Sequence, residues 1–204
     1  MKYLKSVLLT AAFVLVGSVV SWAAESPVLV AGAGADKGTI GRPVRIVTIG
    51  QRKPGQMAEV VDREASSGAD LIVLPEVWPG LGKPIKIDDP LMQSMSALAK
   101  KHHTYIISPI SRQDGELVYN TAVLLDRQGK IAGMYDKVFP VLPDPPGQTI
   151  NGEFGSLNGR PGRDVPVFET DFGRIGMAIC FDGQFPEVWH RLEENGAQLE
   201  RKPA

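Results

Sequence analysis

Leu71-Ile72-Val73-Leu74 is a continuous apolar run between Asp70 and Pro75, the mark of a short strand buried on both faces. Such a strand needs cover above and below, so it commits the chain to an α/β architecture with helices packed on a sheet. Its surroundings supply the cover. Val44 to Ile49 is β-rich, and Met57, Val60, Val61 and Ala65 recur at helical spacing before Gly68, a C-terminal stop. Asp89 followed by Pro90 predicts an N-cap with proline in the first turn. Leu91, Met95, Leu98 and Ala99 would line one face of that helix, and Lys100 and Lys101 would close it.

Further strands follow. Tyr105 to Ile110 is one, and Leu117 to Leu125 with Lys130 to Tyr135 flank Asp126-Arg127-Gln128-Gly129, a hairpin with glycine in its turn. Residues 140 to 166 carry six prolines and several glycines and read as a long loop. Val167 to Thr170 and Arg174 to Ile179 form a second strand pair around Asp171-Phe172-Gly173, and Pro186 opens a helix through Val188 and Leu192 to Gly196. Units of β-α-β mixed with hairpins predict a mixed, helix-covered sheet.

The amino terminus reads differently. Lys2 and Lys5 precede an apolar run from Val7 to Val20 and then Ser21-Trp22-Ala23, the layout of a signal peptide over residues 1–23. Cleavage after Ala23 is expected, since the run is shorter than the roughly 18 residues of a spanning helix. An uncleaved anchor is the alternative. Residues 24–42, rich in Gly and Ala, read as a linker or draped arm, with one partial domain over 43–204. Cleavage removes two Lys and turns the formal charge of -1 into -3, that of an exported, periplasmic or extracellular protein with no later membrane span.

Composition narrows the chemistry. With 22 Lys+Arg against 23 Asp+Glu there is no basic excess for a phosphate backbone, so nucleic acid is not an expected partner. Three His and one Cys without paired spacing make no recognisable metal site, and no cofactor is expected. His102 and His103 fall at a helix end and His190 on a polar helix face, so none is assigned chemistry.

Three residues stand where strands end. Cys180 follows an apolar strand and precedes the Pro186 helix, on a turn expected to expose a nucleophile and to set its sulfur near N–H groups that stabilise a thiolate. A lone Cys after an apolar strand is also commonly an inert buried thiol. Glu76 emerges from the buried strand in Leu-Pro-Glu-Val-Trp, and Lys137 follows the hairpin's second strand in Tyr-Asp-Lys-Val-Phe. Each alone is explained by solvation. Together they place an acid, a base and a thiol at C-terminal strand ends, where α/β enzymes collect reactive groups.

In these segments the sequence resembles the nitrilase superfamily, the carbon-nitrogen hydrolases. The matching motifs are Leu74-Pro75-Glu76, Tyr135-Asp136-Lys137 and Ile179-Cys180-Phe181-Asp182 with Phe185-Pro186-Glu187, and Tyr119-Asn120-Thr121-Ala122 before the hairpin. The resemblance runs from about Val44 to Ala197. It implies a four-layer α-β-β-α sandwich, commonly dimerised, and a small-molecule amide or carbamoyl substrate cleaved through a cysteine thioester. It implies Cys180 as nucleophile, Glu76 as base, Lys137 and the Phe181 N–H as oxyanion partners, and Glu153 as an accessory acid. Phe181-Asp182 after the nucleophile resembles the amidase and carbamoyl-hydrolase branches, whereas true nitrilases and aliphatic amidases usually have Trp-Glu there, so an amide rather than a nitrile is expected, with a nitrile as the runner-up. Past Ala197 the family continues with an apolar strand, whereas Glu200-Arg201-Lys202-Pro203-Ala204 is charged and carries a proline. The resemblance therefore implies a domain incomplete at its C-terminal end. An inactive remnant or binding module on the same scaffold is the alternative to an enzyme.

Overall fold

The structure is a computed structural model, and it describes residues 28–31, 42–53, 55–76, 78–80, 84–140 and 161–198. A six-stranded mixed sheet runs in the order β1 (Val28–Ala31), β2 (Ile46–Ile49), β3 (Leu71–Val73), β4 (Tyr105–Asp114), β5 (Leu117–Leu125), β6 (Ile131–Asp136). β2, β3 and β4 are parallel to one another; β1, β5 and β6 join antiparallel. The helices α1 (Gln56–Ser66) and α2 (Pro90–His102) make the β2–β3 and β3–β4 crossovers. β7 (Val167–Thr170) and β8 (Gly173–Gly176) form a separate ribbon, followed by a 3-10 turn (Cys180–Gln184) and α3 (Pro186–Glu194).

Side-chain alternation divides the molecule into two cores. Val47, Ile72, Ile106, Val123 and Leu125 face α1 and α2, where they meet Met57, Val61, Met95 and Ala99. Their strand neighbours Leu71, Val73, Ile107, Ala122, Leu124 and Tyr135 face the other way, onto Phe172, Ile175, Met177, Val188 and Leu192. Helix, sheet and ribbon are thus stacked, and α3 packs on β8, where Gly176 leaves room for Leu192.

The caps follow the sequence. Asp89 accepts the Leu91 N–H at 2.9 Å with Pro90 in the first turn, and Gly68, at φ +86°, closes α1 by donating to Ala65. In the hairpin turn Asp126 Oδ1 accepts the N–H groups of Gln128 and Lys130, each at 2.8 Å.

Three expectations change. Leu91 is exposed and Met92 takes its place in the core, because the stripe of α2 is set by the sheet beneath it. The strand expected over Arg174 to Ile179 ends at Gly176. Within the segment 24–42, Val28–Ala31 pairs with β2 as an edge strand. The signal-peptide segment and residues 141–160 of the long loop lie outside the described residues.

One buried ion network holds the end of the sheet opposite the motif residues. Asp70 receives a bidentate bond from Arg42 at 2.7 and 2.9 Å, the Arg45 N–H at 3.0 Å and Arg127 Nη2 at 3.0 Å. Arg127 also forks onto Asp171 at 2.6 and 3.0 Å. The network joins the start of β3, the hairpin turn and the β7–β8 turn. Among the described residues no helix is long and apolar enough to cross a membrane.

Candidate active site

Glu76, Lys137 and Cys180, far apart in sequence, converge on the ribbon-facing side of the sheet. Glu76 leaves β3 on a segment anchored at both ends. The Leu74 N–H donates to Ile107 at 3.0 Å, and the buried Trp78 donates its indole N–H to Ser108 at 2.7 Å. Gln51 holds the Glu76 carbonyl at 3.1 Å.

Lys137 stands two residues beyond the buried Tyr135, so strand alternation sends both to the same face. Its backbone N–H donates to Asn120 at 2.9 Å, extending the β5–β6 ladder by one bond. Its ammonium is almost wholly buried and donates to Glu76 Oε1 at 2.9 Å. The same oxygen accepts the Asn120 carboxamide N–H at 2.6 Å.

Cys180 has φ +49°. Among the described residues only it and His103 adopt a left-handed backbone without being glycine, and for Cys180 this costs roughly 1–2 kcal/mol. The turn is held by its neighbour Asp182, which is fully buried. Asp182 Oδ2 accepts the Ile179 N–H at 3.0 Å and the Tyr135 hydroxyl at 2.7 Å, while Oδ1 accepts the Phe139 N–H at 2.8 Å. Phe139 stacks on Phe185 at 3.8 Å, and Phe181 meets Phe185 edge-on at 5.1 Å, an apolar flank for the turn.

The electrostatics correct one expectation. The thiol lies beside a 3-10 turn of five residues, and α3 begins only at Pro186, so no long helix points its N-terminus at the sulfur. Burial first, and then the charge of the Glu76 carboxylate, push Cys180 up. Lys137 and the Phe181 N–H pull it down without prevailing. Cys180 therefore rests as a thiol, and a reaction at sulfur needs a base to take its proton. Burial and the Asp182 charge push the Tyr135 hydroxyl far up, so it stays a donor. Burial also raises Asp182, although three donors face it.

A cavity of about 20 Å³ opens beside Glu76, lined by Val73, Ile107, Ala122, Met177 and Ile179, room for about one water. Among the described residues no group of three or more His, Cys, Asp and Glu side chains is arranged to hold a metal. His102 pairs with Asp62 at 2.6 Å between α1 and α2, and His103 caps α2 in a left-handed conformation.

Glu153 lies outside the described residues. Asn120, Tyr135 and Asp182 stand in the matching motifs, but the sequence reading gave none of them a place in the site: Asn120 bonds Glu76, and Tyr135 and Asp182 brace the turn of Cys180. Their signal was present, since Asn120 shares a strand face with Ala122 and Leu124, and a polar residue in such a row is conspicuous. Its partner was not readable, because β5 and the Glu76 segment are joined only by the sheet.

Comparisons with known proteins bear on the family and the fold. A sequence model of the carbon-nitrogen hydrolase family matches residues 53–200. A hydrolase of Schizosaccharomyces pombe is 34% identical over 146 residues, covering 66% of this chain and 44% of the relative. The omega-amidase of Danio rerio is 30% identical over 153 residues, covering 71% and 54%. The deaminated glutathione amidase of Yersinia enterocolitica is 30% identical over 122 residues, covering 57% and 42%. The chain thus spans about half the length of these relatives. Among solved structures, a carbon-nitrogen hydrolase from Helicobacter pylori G27 superposes with a TM-score of 0.63 at 22% identity, covering 76% of this chain and 57% of that one. An amidase variant from Nesterenkonia sp. AN1, showing Michael addition of acrylamide at its active-site cysteine, gives 0.63 at 18% identity, with coverage of 76% and 64%. The fold is shared with both, and the match over most of the described sequence decides the family: the chain belongs to the carbon-nitrogen hydrolases.

Proposed function

We propose that this protein hydrolyses the carbon–nitrogen bond of a small amide or carbamoyl compound through a thioester on Cys180. One observation carries the reading: Glu76, Lys137 and Cys180 meet at strand ends, where Glu76 bonds the ammonium and its charge bears on the thiol.

Because Cys180 rests protonated, Glu76 takes its proton as the sulfur attacks the carbonyl carbon. The carbonyl oxygen then carries the charge. The Lys137 ammonium and the Phe181 N–H are the donors for it, and losing one such donor typically costs about 10²–10³ in rate. Glu76 returns its proton to the departing nitrogen, the C–N bond breaks, and Cys180 holds the acyl group. Glu76 then draws a proton from water as the water oxygen attacks the thioester; the C–S bond breaks, the acid leaves, and Glu76 returns the proton to the Cys180 sulfur. The buried Lys137 charge also offsets that of Glu76, which is needed in so dry a site. Glu153 is assigned the accessory role that the family resemblance implies.

Phe181-Asp182 after the nucleophile, together with relatives named as amidases, supports an amide rather than a nitrile substrate. The test is ammonia release from a panel of primary amides, including propionamide and glutaramate, with mass spectrometry of the quenched enzyme. An acyl adduct on Cys180, absent in Cys180→Ala, is expected. Folded protein giving neither adduct nor ammonia across the panel overturns the reading and favours a scaffold that binds without reacting. Export is proposed from Lys2, Lys5 and the apolar run to Val20, and amino-terminal sequencing of secreted material should begin at Ala24.

A further inference from the structure

Asn120 is a buried side chain bonded directly to Glu76, and it has no part in the chemistry just described. It is 2% exposed, in the middle of a strand whose neighbours on that face are Ala122 and Leu124. Its carboxamide nitrogen donates to Glu76 Oε1 at 2.6 Å, and its backbone carbonyl accepts the Lys137 N–H at 2.9 Å. Its Oδ1 is buried with no hydrogen-bond partner among the described residues. Buried amides are ordinarily satisfied at both ends. A half-satisfied one in the sheet interior is retained for the bond that it does make.

The chemistry also fixes which way the amide points. An oxygen at 2.6 Å from an ionised carboxylate would repel it, so the nitrogen must face Glu76. Glu76 Oε1 then has two donors, Asn120 and Lys137, which leaves the other oxygen as the one free to receive a proton from sulfur.

We propose that Asn120 is a positioning residue of this site: its side chain fixes the Glu76 carboxylate against Cys180 and its backbone fixes Lys137, so one residue of β5 sets both charges that act on the nucleophile. The proposal rests on the site reading above. It assigns the β5 residue no contact with substrate. Asn120 acts through Glu76, and its effect is read at the sulfur.

The groups facing that sulfur are Glu76 from the end of β3, Lys137 from the end of β6 and the Phe181 N–H of its own turn. Of these Glu76 favours the thiol, while Lys137 and the N–H favour the thiolate. Removing the Asn120 donor with Asn120→Ala frees the carboxylate to turn away, so Cys180 should deprotonate more readily. Asn120→Asp keeps the shape and adds a second carboxylate, which should make deprotonation harder. A residue needed only for folding would move both variants in one direction.

The experiment is the rate of Cys180 carbamidomethylation by iodoacetamide in the full chain across pH, read by mass spectrometry, with thermal unfolding as a check on folding. The pH of half-maximal rate should fall in Asn120→Ala and rise in Asn120→Asp, each by roughly one pH unit. Midpoints that stay with the parent chain, or that move together, overturn the proposal. If only one variant folds, its sign alone decides. Glu76→Gln separates the two levels: a midpoint that ignores Glu76→Gln sinks the site reading itself, and with it Asn120. One that falls in Glu76→Gln while both Asn120 variants stay put sinks only the role of Asn120.

Discussion

The Tyr135 hydroxyl donates to Asp182 Oδ2 at 2.7 Å, and through this bond the strand that ends in Lys137 is tied to the turn that carries Cys180. The same carboxylate holds the Phe139 N–H, so Asp182 grips the chain on both sides of Lys137. Its bond to the Ile179 N–H, immediately before the nucleophile, completes the link.

Tyr135→Phe removes one donor from a buried carboxylate while leaving the ring in place. A loss of about 1–3 kcal/mol in unfolding free energy is expected from urea titration. Because the cost comes from an unsatisfied group, Tyr135→Phe combined with Asp182→Asn should cost less than the two single changes added together. Additive losses would show that the pair is not coupled.

Lys137→Met removes the positive charge that lowers Cys180 and leaves the Glu76 charge that raises it. The thiol, already raised by burial, should rise further. Iodoacetamide labelling of the folded variant should therefore need higher pH than that of the parent, and the parent should need higher pH than its own chain unfolded in urea. A parent that labels at lower pH than its unfolded chain contradicts the raised thiol.

Asp70 is the shared acceptor of Arg42, Arg45 and Arg127. Burial alone would raise its carboxyl, but the bonds from Arg42, the Arg45 N–H and Arg127 outweigh it and hold Asp70 below 3.8. A carboxylate lowered in the folded state contributes stability that is present above its unfolded value and is lost as pH falls through its folded value. Acid titration of stability should therefore steepen below about pH 4 in the parent and flatten in Asp70→Asn. At neutral pH Asp70→Ala leaves two buried guanidinium groups short of a partner and should cost about 3–5 kcal/mol, measured by urea denaturation.

Gly176 marks the close approach of β8 and α3. A methyl there would stand 2.4 Å from Leu192 Cδ2, which is itself buried among core residues. Gly176→Ala should cost about 1–3 kcal/mol in unfolding free energy. The same change made with Leu192→Ala should cost less than the sum, because each side chain then occupies the space left by the other.

Most of the elements were legible because each rests on a local signal. Asp89-Pro90 starts α2, Gly68 stops α1, the run Leu71–Leu74 is a strand and Asp126–Gly129 is a turn, whatever lies around them. The face of α2 was misread at Leu91, since its stripe is decided by the sheet below. The end of β8 was missed for a similar reason: Met177, Ala178 and Ile179 are as apolar as a strand, but the backbone must leave the ribbon there to reach φ +49° at Cys180.

Local chemistry settles which residues can cap, turn, bury themselves or react, and in this chain it set Glu76, Lys137 and Cys180 at strand ends, where only their coincidence marked them. Tertiary structure alone settles what those groups do to one another. The distances among Glu76, Asn120 and Lys137 arise from strand pairing between segments as far as 61 residues apart, Cys180 reaches them through the packing of the ribbon on the sheet, and the raised thiol arises from burial that no single segment contains. A sequence motif can name a thiol and an acid, but only the packed sheet sets the dielectric and the geometry that decide which of them holds the proton.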